Sequence, residues 1–143
     1  MTSTSRLPRA FWWAAAAALV WNLAGLAAFV TQVIVPDIGL AGLPDEQRAL
    51  YDAVPWWATL AFAVATAGGT LGAVGLLLRR RWAVGAFAAS LVGIVVQQVH
   101  MFAISRVQDV MGWGAVGFPL AVLAIGVVLL VWSRRLAARG VLR

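Results

Sequence analysis

Cysteine is absent from this chain of 143 residues, as is lysine, and histidine occurs once. The lack of cysteine excludes disulfides and thiolate metal sites, and it leaves the redox compartment undetermined. One histidine without thiols or a carboxylate in the apolar segments makes a poor metal site. We therefore expect no metal, no cofactor and no catalytic residues, and an enzyme is the less favoured class of function.

Charge is also scarce, because only 11% of the residues are charged, whereas 63% are hydrophobic. The apolar residues form four runs at 11–35, 56–78, 82–104 and 112–132, none of which contains a charged side chain. Each run reaches the roughly 20 residues that a helix needs to cross a bilayer. The first run exceeds the apolar core of a signal peptide, so we expect it to remain as a helix.

These runs predict an all-α membrane protein with a single integral membrane domain over 1–143. The expected fold is a four-transmembrane-helix antiparallel bundle, with the longest loop, 36–55, on the outer side. Neighbouring helices 56–78 and 82–104 are joined by a tight turn and must be antiparallel.

The basic residues are distributed unevenly along the chain. Nine arginines fall on one predicted side of the bundle, at Arg6, Arg9, Arg79, Arg80, Arg81, Arg134, Arg135, Arg139 and Arg143. All five acidic residues fall on the other side, with the two remaining arginines. Cytoplasmic loops of membrane proteins carry the excess of Lys and Arg, so both termini are predicted to be cytoplasmic. The net charge of +6 then reflects contact with the membrane and its lipids rather than with nucleic acid.

The outer loop contains a short amphipathic segment, LPDEQRALYDAV, in which Pro44 suits a first helical turn. Two interpretations are open. In the first, Leu43, Leu50 and Val54 rest on the membrane or on the mouth of the bundle. In the second, the segment is a lid over a site, with Tyr51 and Asp52 pointing inward.

The run 82–104 carries the most informative pattern, a stripe at steps of 4, 3, 4 and 3 formed by Ala86, Ser90, Gly93, Gln97 and His100. Such spacing places these residues on one face of a helix. Similar stripes carry Asn22 and Gln32 on the first helix and Thr59 on the second, whereas Gln98 lies off the face by one residue. If the stripes face inward, they form a polar pocket in the outer half of the bundle. The candidate ligand-binding residues are Gln97, His100, Gln32, Asn22, Thr59 and Tyr51.

Polar side chains in membrane helices also serve for packing, through interhelical hydrogen bonds worth about 0.6 kcal/mol on average. That alternative stands beside the pocket. The pattern Gly68-x-x-x-Gly72 and the stripe of Gly114, Gly117, Ala121 and Ala124 are typical of close helix packing. Pro119 is expected to kink the last helix. A triad of Ser105, His100 and Asp109 is too crowded on one helix end to act as a catalytic site.

Several stretches resemble a family of small bacterial four-helix inner-membrane proteins. They are LVWN at 19–22, LPDEQRALYDAVPWWATLAFA, GGTLGAVGLLLRRRWAVGAFAASLVG and Gln97-x-x-His100. Many members carry the label "sugar transporter", and the resemblance implies a four-helix protein of the bacterial inner membrane. The layout also bears a distant similarity to four-helix proteins of the DoxX type, which are linked to quinone or redox partners.

Three functions follow in order of preference. The first is a membrane protein that binds or passes a small polar solute through an outward-facing pocket, as a homo-oligomer because four helices enclose little volume. The second is an accessory subunit of a larger membrane complex. The third is a membrane enzyme linked to a lipid or quinone.

Overall fold

A computed structural model describes residues 7–143, and within that range the chain forms helices and no strands. Arg6 and most of the polar N-terminal tail lie outside the described residues. The helices, in chain order, are α1 (Arg9–Phe29), α2 (Pro36–Gly39), α3 (Asp45–Asp52), α4 (Trp56–Leu77), α5 (Trp82–Val99), α6 (Val107–Met111) and α7 (Gly117–Ala138). A π-helical turn extends α1 over Val30–Ile34 and another extends α5 over His100–Ile104, and a 3-10 turn at Trp113–Val116 leads into α7.

Four helical segments are long and apolar enough to cross a membrane, at Arg9–Ile34, Trp56–Leu77, Trp82–Ile104 and Trp113–Ala138. They correspond to the four apolar runs, so the prediction of an all-helical chain with four candidate spans is confirmed. The last segment continues six residues beyond the predicted end at Trp132, because Ser133, Leu136 and their neighbours remain helical and pack inward.

The tightest packing lies between α4 and α5, where glycines let the backbones approach. A Cβ at Gly68 would lie 3.1 Å from the Ala86 carbonyl oxygen, and one at Gly75 would lie 2.8 Å from the Cβ of Ala83. The Ser90 hydroxyl donates to the Ala65 carbonyl at 2.6 Å, across the same seam. Small residues therefore bring these two helices together, as the glycine pattern predicts.

The other two long helices, α1 and α7, pack on this pair. Helix α1 packs on α4. The Thr70 hydroxyl donates to the Asn22 carbonyl at 3.3 Å, and the rings of Phe29 and Phe62 meet edge to face. Helix α7 packs on α5, with Gly126 close to Ile94.

One end of the molecule, the arginine end, carries Arg9, Arg79–81 and the C-terminal arginines, and the opposite end, the loop end, carries residues 36–55 and 105–112. The buried core lies towards the arginine end, where Ala15, Ala73, Leu76 and Ala83 are almost fully buried. The C-terminal segment is part of this core, because Leu142 is 2% exposed and the Arg143 amide donates to the Arg79 carbonyl at 2.7 Å.

The last helix has two features that its sequence pattern does not reveal. The stripe of Gly114, Gly117, Ala121 and Ala124 is exposed, and α7 instead turns Leu129, Ser133 and Leu136 inward. Pro119 does not interrupt α7 in its middle, because the helix begins only at Gly117. In the first turn of a helix the missing N–H of proline breaks no intrahelical bond.

Candidate functional site

Towards the loop end, residues of all four long helices line a cavity of about 600 Å³, although α4 and α5 stay in close contact there through Gly93 and Ala61. The buried residues of α1 end at Ala18, and those of α7 begin at Leu129, so neither helix is buried over its loop-end half. The cavity occupies this region, and Phe87 and Leu129, which belong to the core, form its floor. Its volume is within the range of about 300–1,000 Å³ that is usual for small-molecule sites.

All six candidate residues line this one cavity: Asn22, Gln32, Tyr51, Thr59, Gln97 and His100. The stripes therefore do bring them together. Whether they hold a ligand stays a prediction, and the wall around them is more apolar than a site for a freely soluble polar molecule requires. Helices α1 and α7 contribute side chains such as Ala24, Val122 and Ile125 to that wall.

Two of these residues belong to π-helical turns, which the sequence pattern does not reveal. Gln32 lies in the turn Val30–Ile34, where the Val35 amide donates to the Val30 carbonyl five residues back, at 2.9 Å. His100 opens the other turn, and the Ser105 amide donates to its carbonyl at 2.8 Å. Such turns are rare and occur often at functional sites. Both lie at the loop end of the cavity.

His100 is held on two sides and is 6% exposed. Its ring meets Trp57 edge to face at 5.2 Å between centroids, and its Nε2 lies 3.2 Å from the Ser105 hydroxyl. Asp109 is paired with Arg106 at 2.8 Å rather than with the histidine. The arrangement fixes the position of the imidazole and forms no Ser-His-Asp triad.

The polar residues of the cavity differ in how their hydrogen-bonding groups are used. The Asn22 amide donates to the Ala18 carbonyl at 2.8 Å, and the Thr59 hydroxyl donates to the Pro55 carbonyl at 3.4 Å. Gln32, Gln97 and the Tyr51 hydroxyl form no hydrogen bond with any residue that the structure describes. These three side chains face the cavity with their polar groups free.

Gln98 has the structural role that its neighbour lacks. Its amide donates to the Pro119 carbonyl at 2.7 Å and so ties α5 to the first turn of α7. Its offset of one residue from the stripe is the signal that distinguishes it from Gln97.

The loop 36–55 covers the mouth of the cavity through α3 and the residues that follow it. Leu50, Tyr51, Asp52 and Val54 all line the cavity, whereas Leu43 does not. Helix α3 begins at Asp45, so Pro44 precedes the first turn. This placement at the mouth is consistent with both interpretations of the segment. It agrees with a lid over the site, and it agrees with a segment whose Leu50 and Val54 rest on the bundle.

Within residues 7–143, no group of three or more His, Asp or Glu side chains lies together as a metal site would require. No protein family matches this chain, and no curated protein or solved structure matches it. The site must therefore be interpreted from its own geometry.

Proposed function

We propose that this chain is a multi-pass inner-membrane protein that binds a small molecule in the cavity at its loop end. It forms an antiparallel four-helix bundle with both termini in the cytoplasm, so the cavity belongs to the outer half of the membrane. Gln97, Gln32 and Tyr51 hold the polar part of the ligand, and His100 contributes from a fixed position. The core below Phe87 and Leu129 is filled, which supports binding rather than passage through the bundle.

The observation that carries this proposal is the contrast between used and free polar groups. If the polar stripes served only for packing, Gln97 and Gln32 would donate to neighbouring helices as Gln98 does. Gln97, Gln32 and Tyr51 are each half-buried, so their polar groups stay open to the cavity rather than being sealed from water. Two amides and a phenol without protein partners on the wall of one cavity are therefore available to hydrogen-bond a ligand.

Purification in nanodiscs followed by mass spectrometry of co-purifying small molecules tests the binding. Gln97→Leu should lower the occupancy about two- to tenfold, which corresponds to one lost hydrogen bond. Gln47→Leu is the matched control, because Gln47 lies on α3 outside the cavity wall. Equal occupancy in the two variants would contradict the assigned role of Gln97.

The proposed orientation is tested by thiol labelling, which the absence of cysteine makes simple. Ala41→Cys places an exposed thiol in the outer loop, and Ala138→Cys places one at the arginine end. A membrane-impermeant maleimide added to intact cells from which any outer membrane has been removed should label only the first. Labelling of the second alone would reverse the orientation.

A second candidate function, an accessory subunit or a homo-oligomer, is favoured by one feature. The small residues Gly114, Gly117, Ala121 and Ala124 form an exposed stripe, and such faces promote association between membrane helices. Co-purification of other membrane chains, lost on Gly117→Leu, would support this candidate.

A further inference from the structure

We propose that the ligand is a neutral amphiphile that enters from the bilayer, between α1 and α7, and places its polar end at Gln97 and Tyr51. This inference rests on the proposed function and specifies the chemical class of ligand and its route. It differs from the expectation of a freely soluble polar solute.

The first support is the seam between α1 and α7. Three pairs of long helices are closely packed, α1 with α4, α4 with α5 and α5 with α7, but α1 and α7 are not. They contact each other through Phe11 and Trp132 at the arginine end, with ring centroids 5.9 Å apart. Towards the loop end, Trp21 and Phe118 face each other at 6.2 Å. The α1–α7 seam is therefore the least closely packed of the four sides of the bundle, and we infer that it opens over the loop-end half.

The second support is that this seam leads into the cavity. Both aromatic residues, Trp21 and Phe118, line the cavity, and Phe118 is 70% exposed. In a membrane, the outer side of this seam faces hydrocarbon chains. An apolar molecule can therefore pass from the lipid to the cavity without crossing a polar surface.

The third support is the distribution of chemistry along the cavity. Its wall on α7 runs from Pro119 to Leu129, about 15 Å at 1.5 Å per residue. The deep part is formed by apolar side chains such as Val122, Ile125 and Phe87, and the free polar groups of Gln32, Gln97 and Tyr51 lie towards the loop end. A cavity with a long apolar part and a polar end fits a molecule that likewise has a long apolar chain and a polar head.

The fourth support concerns charge. No arginine contributes to the cavity wall in the part of the chain that the structure describes, and Asp52 is the one carboxylate there. A phosphate or carboxylate head would meet no cation and one like charge. The free groups instead are neutral amides and a phenol, which bind hydroxyl and carbonyl oxygens.

The test compares two photoactivatable probes on the unsubstituted chain in phosphatidylcholine nanodiscs. The first is a long-chain alcohol with a diazirine at its methyl end, and the second is a hexose with a diazirine. The alcohol should label the cavity-lining positions Val122, Ile125 and Leu129 of α7 or Phe87 at the cavity floor in preference to the lipid-exposed Val127 and Val128, as mapped by peptide mass spectrometry. Gln97→Leu should weaken that labelling about two- to tenfold.

The route is tested with Trp21→Cys/Phe118→Cys, whose two thiols are joined by a short bis-maleimide. Most of the labelling by the alcohol should be lost in the joined protein and retained in the same variant capped by a monofunctional maleimide. Equal labelling in the two forms would overturn entry through the seam. Labelling of the cavity by the hexose and not by the alcohol would overturn the amphiphile and leave the proposed function intact. If neither probe labels the cavity in the unsubstituted chain, both proposals fail.

Discussion

Gly93 on α5 offers the sharpest test of how the cavity is positioned. A Cβ at this residue would lie 2.6 Å from the Ala61 carbonyl oxygen and 2.8 Å from the Ala65 amide nitrogen. Both atoms belong to the backbone of α4, so neither can move aside as a flexible side chain would. Gly93→Ala must therefore push α4 and α5 apart, next to the bond of 2.6 Å between Ser90 and Ala65.

The expected change in the free energy of unfolding is the sum of two opposing contributions. Alanine is favoured over glycine in a helix by about 0.5–1 kcal/mol. Overpacking of a close contact costs about 1–3 kcal/mol. Gly85 provides a matched control on the same helix, because a Cβ there meets nothing within 4 Å. The propensity gain is common to both variants, so the difference between them isolates the steric cost of about 1–3 kcal/mol.

The measurement is unfolding in detergent micelles, followed by circular dichroism. Gly85→Ala should unfold at the same temperature as the unsubstituted chain or slightly above it, and Gly93→Ala should unfold lower. Because Gln97 and His100 follow Gly93 on the same helix, binding in the cavity should weaken with it. Equal stability of the two alanine variants would refute the close approach of α4 and α5.

Three further predictions concern other contacts. Gln98→Leu should lower the free energy of unfolding by about 0.5–1.5 kcal/mol, because the hydrogen bond to the Pro119 carbonyl is lost. Gln97→Leu should leave the free energy of unfolding nearly unchanged, and denaturant titration in micelles compares the two variants. Leu142→Ala should cost about 2–5 kcal/mol, since this side chain is 2% exposed, and full stability in a thermal melt would contradict its place in the core. Arg106→Gly should be neutral or stabilising by about 1 kcal/mol. Arg106 has a φ of 49°, a left-handed conformation that costs glycine less, and the ion pair that would be lost is exposed. A clear loss of stability in a thermal melt would contradict this prediction.

The site could be anticipated in part because its residues follow helical spacing. Gln97 and His100 share a face with Ser90 and Gly93, and a buried glycine contact fixes which face turns inward. Patterns of spacing cannot show which polar groups find a partner. The difference between Gln97, which is free, and Gln98, which binds Pro119, depends on where α7 begins. The same limit applies to Gly114 and Gly117, whose small size suits a close contact that the described chain does not itself make.

The sequence by itself determined the four apolar segments and the placement of most arginines apart from the acidic residues, because each depends only on which residues are adjacent along the chain. The tertiary structure decided that α4 and α5 pack closely into the loop-end half, whereas α1 and α7 bury residues only towards the arginine end. That outcome depends on where small side chains of different helices meet, as at Gly93 and Ala61, and where larger side chains such as Trp21 and Phe118 meet instead. The cavity, its free amides and its opening to the lipid all follow from this difference in packing.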